Sequence, residues 1–308
     1  MEVPEEARDD GVERIAGVRL TSPDKVLFPE QGLTKRDLVE HYRTVEGWIL
    51  PHVAHRPLTV VRCPEGHDEH CFYQKHATSS VPSAVGRVRI QEKRKKATYM
   101  HVSTFAGLVG LVQMGVLEIH VWGSRRDRVE RPDRMVFDLD PGEGTEIPAL
   151  VEAARVLRGR LEDLGLTSFV MATGGKGLHV VLPVTRRHDF QEVKEFTKTV
   201  AKSVEEEDPD RYVAEASKHK RRGRVFIDYL RNTRGATAVC PYSTRARPGA
   251  PVAVPLRWDE LTDDLDPAGH TVERLHRRLA RMRTDPWQGY ADVHQSITSD
   301  ARRRLGLQ

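Results

Sequence analysis

The chain has 308 residues, of which 38% are hydrophobic, and its 49 lysines and arginines outnumber 45 acids to give a net charge of +4. That apolar content is enough to bury a sizeable core in one large or two small domains, which excludes a disordered chain. No stretch approaches the ~18 apolar residues of a membrane span, and the first ten residues are acidic with no apolar leader. Cys63, Cys71 and Cys240 are too few and too scattered for a disulfide framework, so the expectation is a protein of the reducing cytoplasm.

An acidic arm over 1–13 leads into a short strand at Val18 to Leu20 and a turn at SPDK. Thr34 reads as a helix N-cap with Asp37 three residues on, and Leu38, Val39, Tyr42, Val45, Trp48 and Ile49 follow at helical spacing. Strands are expected at 58–62, 87–91 and 98–103, the last two joined as a hairpin across a turn rich in lysine and arginine. A buried helix over 104–115 and a strand over 116–122 come next. Ile147, Leu150, Val151, Ala154, Leu157, Leu161 and Leu164 form a helical stripe that Gly165 closes. Strands at 168–172 and 178–182, a helix over about 190–206, a strand at 224–230 and a helix carrying Val272, Leu275, Leu279 and Met282 complete the chain. This mixture without a strict βαβ rhythm argues an α+β fold, read as one catalytic domain over 14–287 with a tail over 288–308. Basic clusters at 93–96, 125–128 and 218–224 suit a polyanion, although a charge run is also what a solvated face looks like.

The segment RMVFDLDPGEG (134–144) is an apolar strand that ends in two aspartates and a turn. In a strand Asp138 and Asp140 share a face, roughly 7 Å apart. Two like charges there need relief from a cation, an arginine or water, and oxygen ligands at a strand end suit a divalent metal. A strand meeting solvent before the turn residues Pro141, Gly142 and Gly144 is the plainer alternative. RVFIDYL (224–230) is a second apolar strand with one acid, Asp228, which is costly to bury unpaired. Arg231 or Arg224 could neutralise it; if its strand lies beside the first, three carboxylates can instead hold two metal ions ~3.5–4 Å apart for attack at phosphorus. In ATGGKGLHVVLPV, Gly174, Gly175 and Gly177 leave backbone N–H groups open to an anion, Lys176 adds charge and His179 follows. This is not a P-loop and links two strands, so an ordinary hairpin turn is the alternative.

SPDKVLFP (22–29), CFYQKH (71–76), VFDLDPGEG (136–144), TGGKGLHV (173–180), FIDYLRN (226–232) and PYSTRAR (241–247), taken in order, resemble the polymerase module of bacterial ATP-dependent DNA ligase D, of the archaeo-eukaryotic primase superfamily. The likeness covers about 15–287 and implies a primase-like catalytic core of mixed and antiparallel sheets flanked by helices. It implies nucleotidyl transfer by two divalent cations, manganese by preference, on Asp138, Asp140 and Asp228. Thr173, Gly174, Gly175, Lys176, Gly177, His179 and Arg245 match the triphosphate-binding positions. Ribonucleotides are often preferred, with Thr173 near the sugar where serine is common. Lys25 and Lys35 match lysines that hold a downstream 5′-phosphate, and Tyr73 beside Phe72 matches an aromatic that stacks on a template base. Lys75, Lys93, Arg94, Lys95, Lys96, Lys218 and Arg221 fall in segments expected to meet DNA, and the loop from Ser124 to Arg131 corresponds to a mobile loop steering the template.

Several other readings stand beside this one. Cys63, His67, His70, Cys71 and His76 crowd one segment, but their spacing does not match the usual zinc knuckles. FDLDPGEGT resembles the signature of haloacid-dehalogenase-type phosphatases, except that Pro141 stands where glycine is wanted. A DNA-end-bridging module would need the basic loops and no catalysis. The chain has no K-x-D-G adenylation motif, so it is expected to work with an ATP-dependent DNA ligase and the Ku end-binding protein in trans, close to the nucleoid, or as one module of a larger product.

Overall fold

The computed structural model describes residues 12–307, which the chain's contacts divide into two compact units. The first comprises the residues up to Val121 together with Val239–Val252 and Thr271–Ala280, and the second takes the remainder. Most of the expected acidic arm lies outside the described residues.

The first unit opens with a hairpin of β1 (Val12–Ile15) and β2 (Val18–Thr21). Ala16 and Gly17 both take positive φ between the paired Ile15 and Val18, the two-residue turn whose twist matches the strands. A short pair, β3 (Val26–Phe28) and β4 (Leu33–Thr34), leads to α1 (Lys35–Thr44), where Thr34 and Asp37 form the expected capping box. The anticipated single helix is two: α1 stops at Thr44 and α2 (Glu46–Val53) follows Val45, which caps both. β5 (Leu58–Arg62), β6 (Phe72–Gln74), β7 (Gly86–Gln91), β8 (Lys96–His101), α3 (Phe105–Gln113) and β9 (Val116–Trp122) complete the run. β9, β5, β8 and β7 are neighbours in that order in one antiparallel sheet, and β6 also pairs with β5.

The second unit is built on β10 (Arg134–Pro141), the DLD strand, which lies centrally in its sheet. Then come α4 (Ile147–Asp163), β11 (Phe169–Ala172), β12 (Leu178–Pro183), α5 (Phe190–Glu207), β13 (Tyr212–Val213) and β14 (Val225–Asp228). β15 (Thr237–Val239) returns the chain to the first unit, and β16 (Val254–Leu256), α6 (Val272–Arg281) and α7 (Ser299–Arg304) follow. The sheet order is β13-β14-β10-β12-β11-β16, antiparallel apart from the β13–β14 pair. α4 packs on β10, β12 and β14, and its buried Leu150, Val151, Ala154, Leu157 and Leu161 are the stripe read from sequence. The residues read as a short C-terminal tail carry α7, and Gln295 bonds to Thr167 and Pro183.

One covalent feature departs from the sequence reading. Cys63 and Cys71 form a disulfide that closes the loop between β5 and β6, and Cys240 is buried and takes no part in a disulfide. Spacing along the chain says little about a pair that strand pairing brings together, which is why counting cysteines did not find it.

Candidate active site

The acids meet because of strand register. Asp138 on β10 lies directly opposite Asp228 on β14 at one edge and opposite His179 on β12 at the other. Side chains paired across antiparallel strands share a face with Cβ atoms about 5 Å apart. Asp140, two residues on, adds a third carboxylate to that face and pairs with Phe226. Two apolar strands, nearly ninety residues apart, therefore deliver all three acids to one end of the sheet.

The face is short of positive charge. Arg231 reaches Asp138 at 2.9 Å and Asp228 at 3.4 Å, and His179 Nε2 stands 3.4 Å from Asp138. Burial pushes the Asp138 carboxyl up, but His179 and Arg231 outweigh it and hold it below the usual carboxylate range. Asp140 is raised by burial and by the Asp138 charge, and Asp228 by burial against the opposing pull of Arg231. One guanidinium thus serves two acids and leaves the third under-compensated. The Arg231 partner that the sequence offers Asp228 as the alternative to metal is present at 3.4 Å, but burial still keeps the Asp228 pKa raised. Among the described residues no three such groups are already gathered around one point as a ready cation site. The donor set is nevertheless all oxygen, anionic and in excess of its counter-charge, which fits a hard divalent cation.

Asn232 explains how Arg231 comes to be there. β14 ends at Asp228, whose Oδ1 accepts the Leu230 N–H at 2.7 Å and turns the chain out of the sheet. The Asn232 side chain then replaces the missing rung: its Oδ1 accepts the Val136 N–H at 2.8 Å and its Nδ2 donates to the Val136 carbonyl at 2.7 Å. That anchor carries Arg231 over the acids. The strand expected over 224–230 is correspondingly shorter.

The DPGEG turn is a clasp. Gly142 N–H donates to Arg224, Gly223 N–H to Glu143, and Thr145 Oγ1 to Arg224. A Cβ on Gly142 would overlap the Arg221 carbonyl oxygen, so glycine is required for this approach. Arg221, expected among the DNA contacts, is stacked on Phe226 at 3.6 Å, and its charge favours the ionised forms of both Asp140 and Asp228. Lys218 is exposed in the same basic loop.

The glycine turn does link two strands, β11 and β12, but its N–H groups are not all open. Gly174 donates to Pro267, Gly175 makes a long 3.3 Å bond to Thr173 Oγ1, and the Thr173 hydroxyl donates to the Gly177 carbonyl. A Cβ on Gly177 would strike the Leu139 carbonyl oxygen. Thr173, Gly174, Gly175 and Gly177 therefore shape a tight turn held against the acid-bearing strand, leaving Lys176 exposed and His179 buried beside Asp138. The open-amide cradle expected for Gly174 and Gly175 is corrected accordingly, because the turn consumes those donors.

In the first unit, Arg245 is 3.1 Å from the buried Glu118, which also accepts from His120 at 2.8 Å. Neither Glu118 nor His120 was singled out by sequence; both sit at alternating positions of VLEIHVW, a strand-period signal that was present. Lys35 is buried and donates to the Thr21 carbonyl, while Lys25 pairs with Glu65 at 2.6 Å. Burial, then the nearby Lys25 charge, lowers the Lys35 ammonium pKa. Tyr73 is 72% exposed and Phe72 36% exposed, an unusual display for large rings. Lys75 is paired with Glu92, whereas Lys93, Arg94, Lys95 and Lys96 stand exposed on the hairpin turn. In the loop expected to be mobile, Ser124 bonds to Val129, Arg125 to Asp133 and Arg131 to Arg187. Cys63 and Cys71 are bonded to each other, His67 to Glu30 and His76 to Glu92.

A largely antiparallel sheet sets Asp138 opposite Asp228 and His179 on one rung, with Asp140 two residues on and a lysine-bearing turn alongside, and the chain's class is that of the primase-polymerase domains. A model of the LigD primase-polymerase domain matches residues 34–287, and the chain belongs to that family. It is 36% identical over 293 residues to the multifunctional non-homologous end joining protein LigD of Pseudomonas aeruginosa, covering 94% of this chain and 35% of that protein. The LigD of Mycolicibacterium smegmatis is 37% identical over 94% of this chain and 37% of its own length. The chain thus spans about a third of the length of these curated relatives. The solved polymerase domain of Mycobacterium tuberculosis ligase D in complex with DNA superposes with a TM-score of 0.83 at 32% identity, covering 89% of this chain and 98% of that one.

Proposed function

We propose that this chain extends DNA 3′ ends at gaps and double-strand breaks during non-homologous end joining, adding ribonucleotides by preference, with two divalent ions, manganese first among them. The observation that carries the reading is the single rung on which Asp138 faces both Asp228 and His179. Divalent cations, when bound, would neutralise the carboxylates, activate the primer hydroxyl and offset charge on the triphosphate.

The residues of the chain do the placing. Asp138, Asp140 and Asp228 would hold the cations, with Arg231 yielding its contacts as they enter. In the second unit Lys176 and His179 would meet the triphosphate, and in the first unit Arg245 matches a phosphate-binding position of the family. Thr173 spends its hydroxyl proton on the Gly177 carbonyl, so any contact with a ribose 2′-hydroxyl would be steric or as acceptor. Lys25 and Lys35, near enough for the Lys25 charge to lower the Lys35 pKa, would meet a 5′-phosphate, and exposed Tyr73 and Phe72 offer faces for an unpaired base. The named relatives are end-joining proteins and the solved neighbour holds DNA, which supports DNA as the partner here; Ku and a DNA ligase would act alongside.

The test uses the purified chain with Mn²⁺, labelled ATP or dATP, and a gapped duplex bearing a 5′-phosphate. Template-dependent extension, abolished by Asp138→Ala or Asp228→Ala with DNA binding retained, is the expected result. Release of phosphate from small phosphoesters instead would move the chain to the phosphatase class, and binding without chemistry would make it an end-bridging module.

A further inference from the structure

PYSTRAR (241–247) is more than one arginine, because its small polar residues stitch it along β9. Ser243 Oγ accepts the Ile119 N–H at 2.9 Å, Thr244 Oγ1 donates to the Leu117 carbonyl at 2.6 Å, and Cys240 N–H donates to the Ile119 carbonyl at 2.9 Å. Arg245 is thereby laid beside Glu118, whose Oε1 accepts the Ala246 N–H at 2.9 Å.

Glu118 sits mid-strand in an otherwise apolar run and is 5% exposed. A carboxylate there is costly unless it is paired and hydrogen-bonded. It gathers Arg245, the Ala246 N–H and His120 Nε2 together. Burial alone would raise its pKa, yet the His120 hydrogen bond and the Arg245 charge bring it down to about 2, so it is an anion at any working pH. Strand register lines these groups up beside the exposed Tyr73: Glu118 pairs with Val61 and Val61 with Tyr73, while the His120 ring lies edge-on to Tyr73 at 6.1 Å.

We propose that Glu118 is a positioning residue that holds Arg245 and His120 on the Tyr73 face of the first unit, so that Arg245 is presented for phosphate and His120 for the nucleic acid strand. This rests on the reading of Arg245 as a triphosphate ligand. A buried anion fixes an arginine's fork in one orientation, removing rotamer freedom before the ligand arrives.

Binding of a fluorescent ATP analogue with Mn²⁺, and primer extension, are measured for the wild type, Glu118→Gln, Glu118→Asp, Arg245→Ala and the Glu118→Gln/Arg245→Ala double variant. Glu118→Gln retains an oxygen for the Ala246 N–H but loses the charge. Its Kd and KM should rise about tenfold with kcat within about twofold, Glu118→Asp should fall between it and the wild type, and adding Glu118→Gln to Arg245→Ala should cost nothing further in nucleotide affinity. An unchanged Kd in a folded Glu118→Gln chain, or full additivity in the double variant, overturns the proposal and leaves Glu118 a packing residue. If Glu118→Gln does not fold, Glu118→Asp carries the same comparison. A wild type that binds nucleotide without extending a primer removes the polymerase reading while the Glu118 comparison stands on binding; one that binds no nucleotide overturns both.

Discussion

Single atoms decide much of this site. The Asn232 amide serves as a rung of the sheet, satisfying both backbone groups of Val136, so Asn232→Ala would leave a buried donor and a buried acceptor without partners. The expected loss is roughly 2 to 4 kcal/mol, read as a shift in a urea melt. Asn232→Asp should be no milder, because its second oxygen would face the Val136 and Tyr229 carbonyls. Gly142 and Gly144 make a contrasting pair. A methyl on Gly142 collides with the Arg221 and Arg224 carbonyls, whereas Gly144 has open space and only its positive φ to accommodate. Gly142→Ala should displace the basic loop and cut extension by at least about tenfold, while Gly144→Ala should cost about 1 kcal/mol of stability and little activity. Equal effects of the two substitutions would show that the clasp does not matter to the site.

At the scale of elements, α1 and α6 meet through histidines. His41 Nδ1 lies 3.2 Å from His276 Nε2, and His41 Nε2 lies 3.3 Å from the Tyr242 carbonyl. Burial, then the neighbouring His276, pulls the His41 pKa down to about 3, and burial lowers His276 as well. The folded state therefore favours neutral rings. Their contribution is complete above the ordinary value of 6.5 and drains away as pH falls toward 3, since the unfolded chain takes up the proton first. Melting temperature should drop between pH 7 and pH 5, and His41→Gln should flatten that slope. Asp140 and Asp228, with raised pKa values, titrate in the opposite sense, so the difference between variant and wild type isolates the histidine pair. A slope that survives His41→Gln would place the sensitivity elsewhere.

For the whole molecule, the net charge of +4 conceals an uneven distribution. Many basic residues already have acidic partners, such as Lys75 with Glu92 and Arg186 with Asp127, while Lys93 to Lys96 stand exposed together. Affinity for a polyanion should follow the exposed charges rather than the total. Replacing Lys93, Arg94, Lys95 and Lys96 with glutamine should lower the slope of log affinity for gapped DNA against log salt by up to about 3 in magnitude. An unchanged slope would remove this turn from the DNA-binding surface.

The long periodic elements were legible in the sequence because their patterns are local: the stripe of α4 and the Thr34 cap of α1 appear where spacing places them, and β10 and the core of β14 lie within the apolar runs that name them. The three aspartates could be named for the same reason, each being a charge in an apolar strand. What the sequence could not contain is register, which pairs residues with no neighbourly relation along the chain. Tertiary structure alone set Asp138 opposite both Asp228 and His179, joined Cys63 to Cys71, spent the glycine-turn amides on Pro267 and Thr173, and brought Arg245 beside Glu118. A side chain's chemistry is written in its own letter, but its working charge and free donors depend on the atoms that folding places against it.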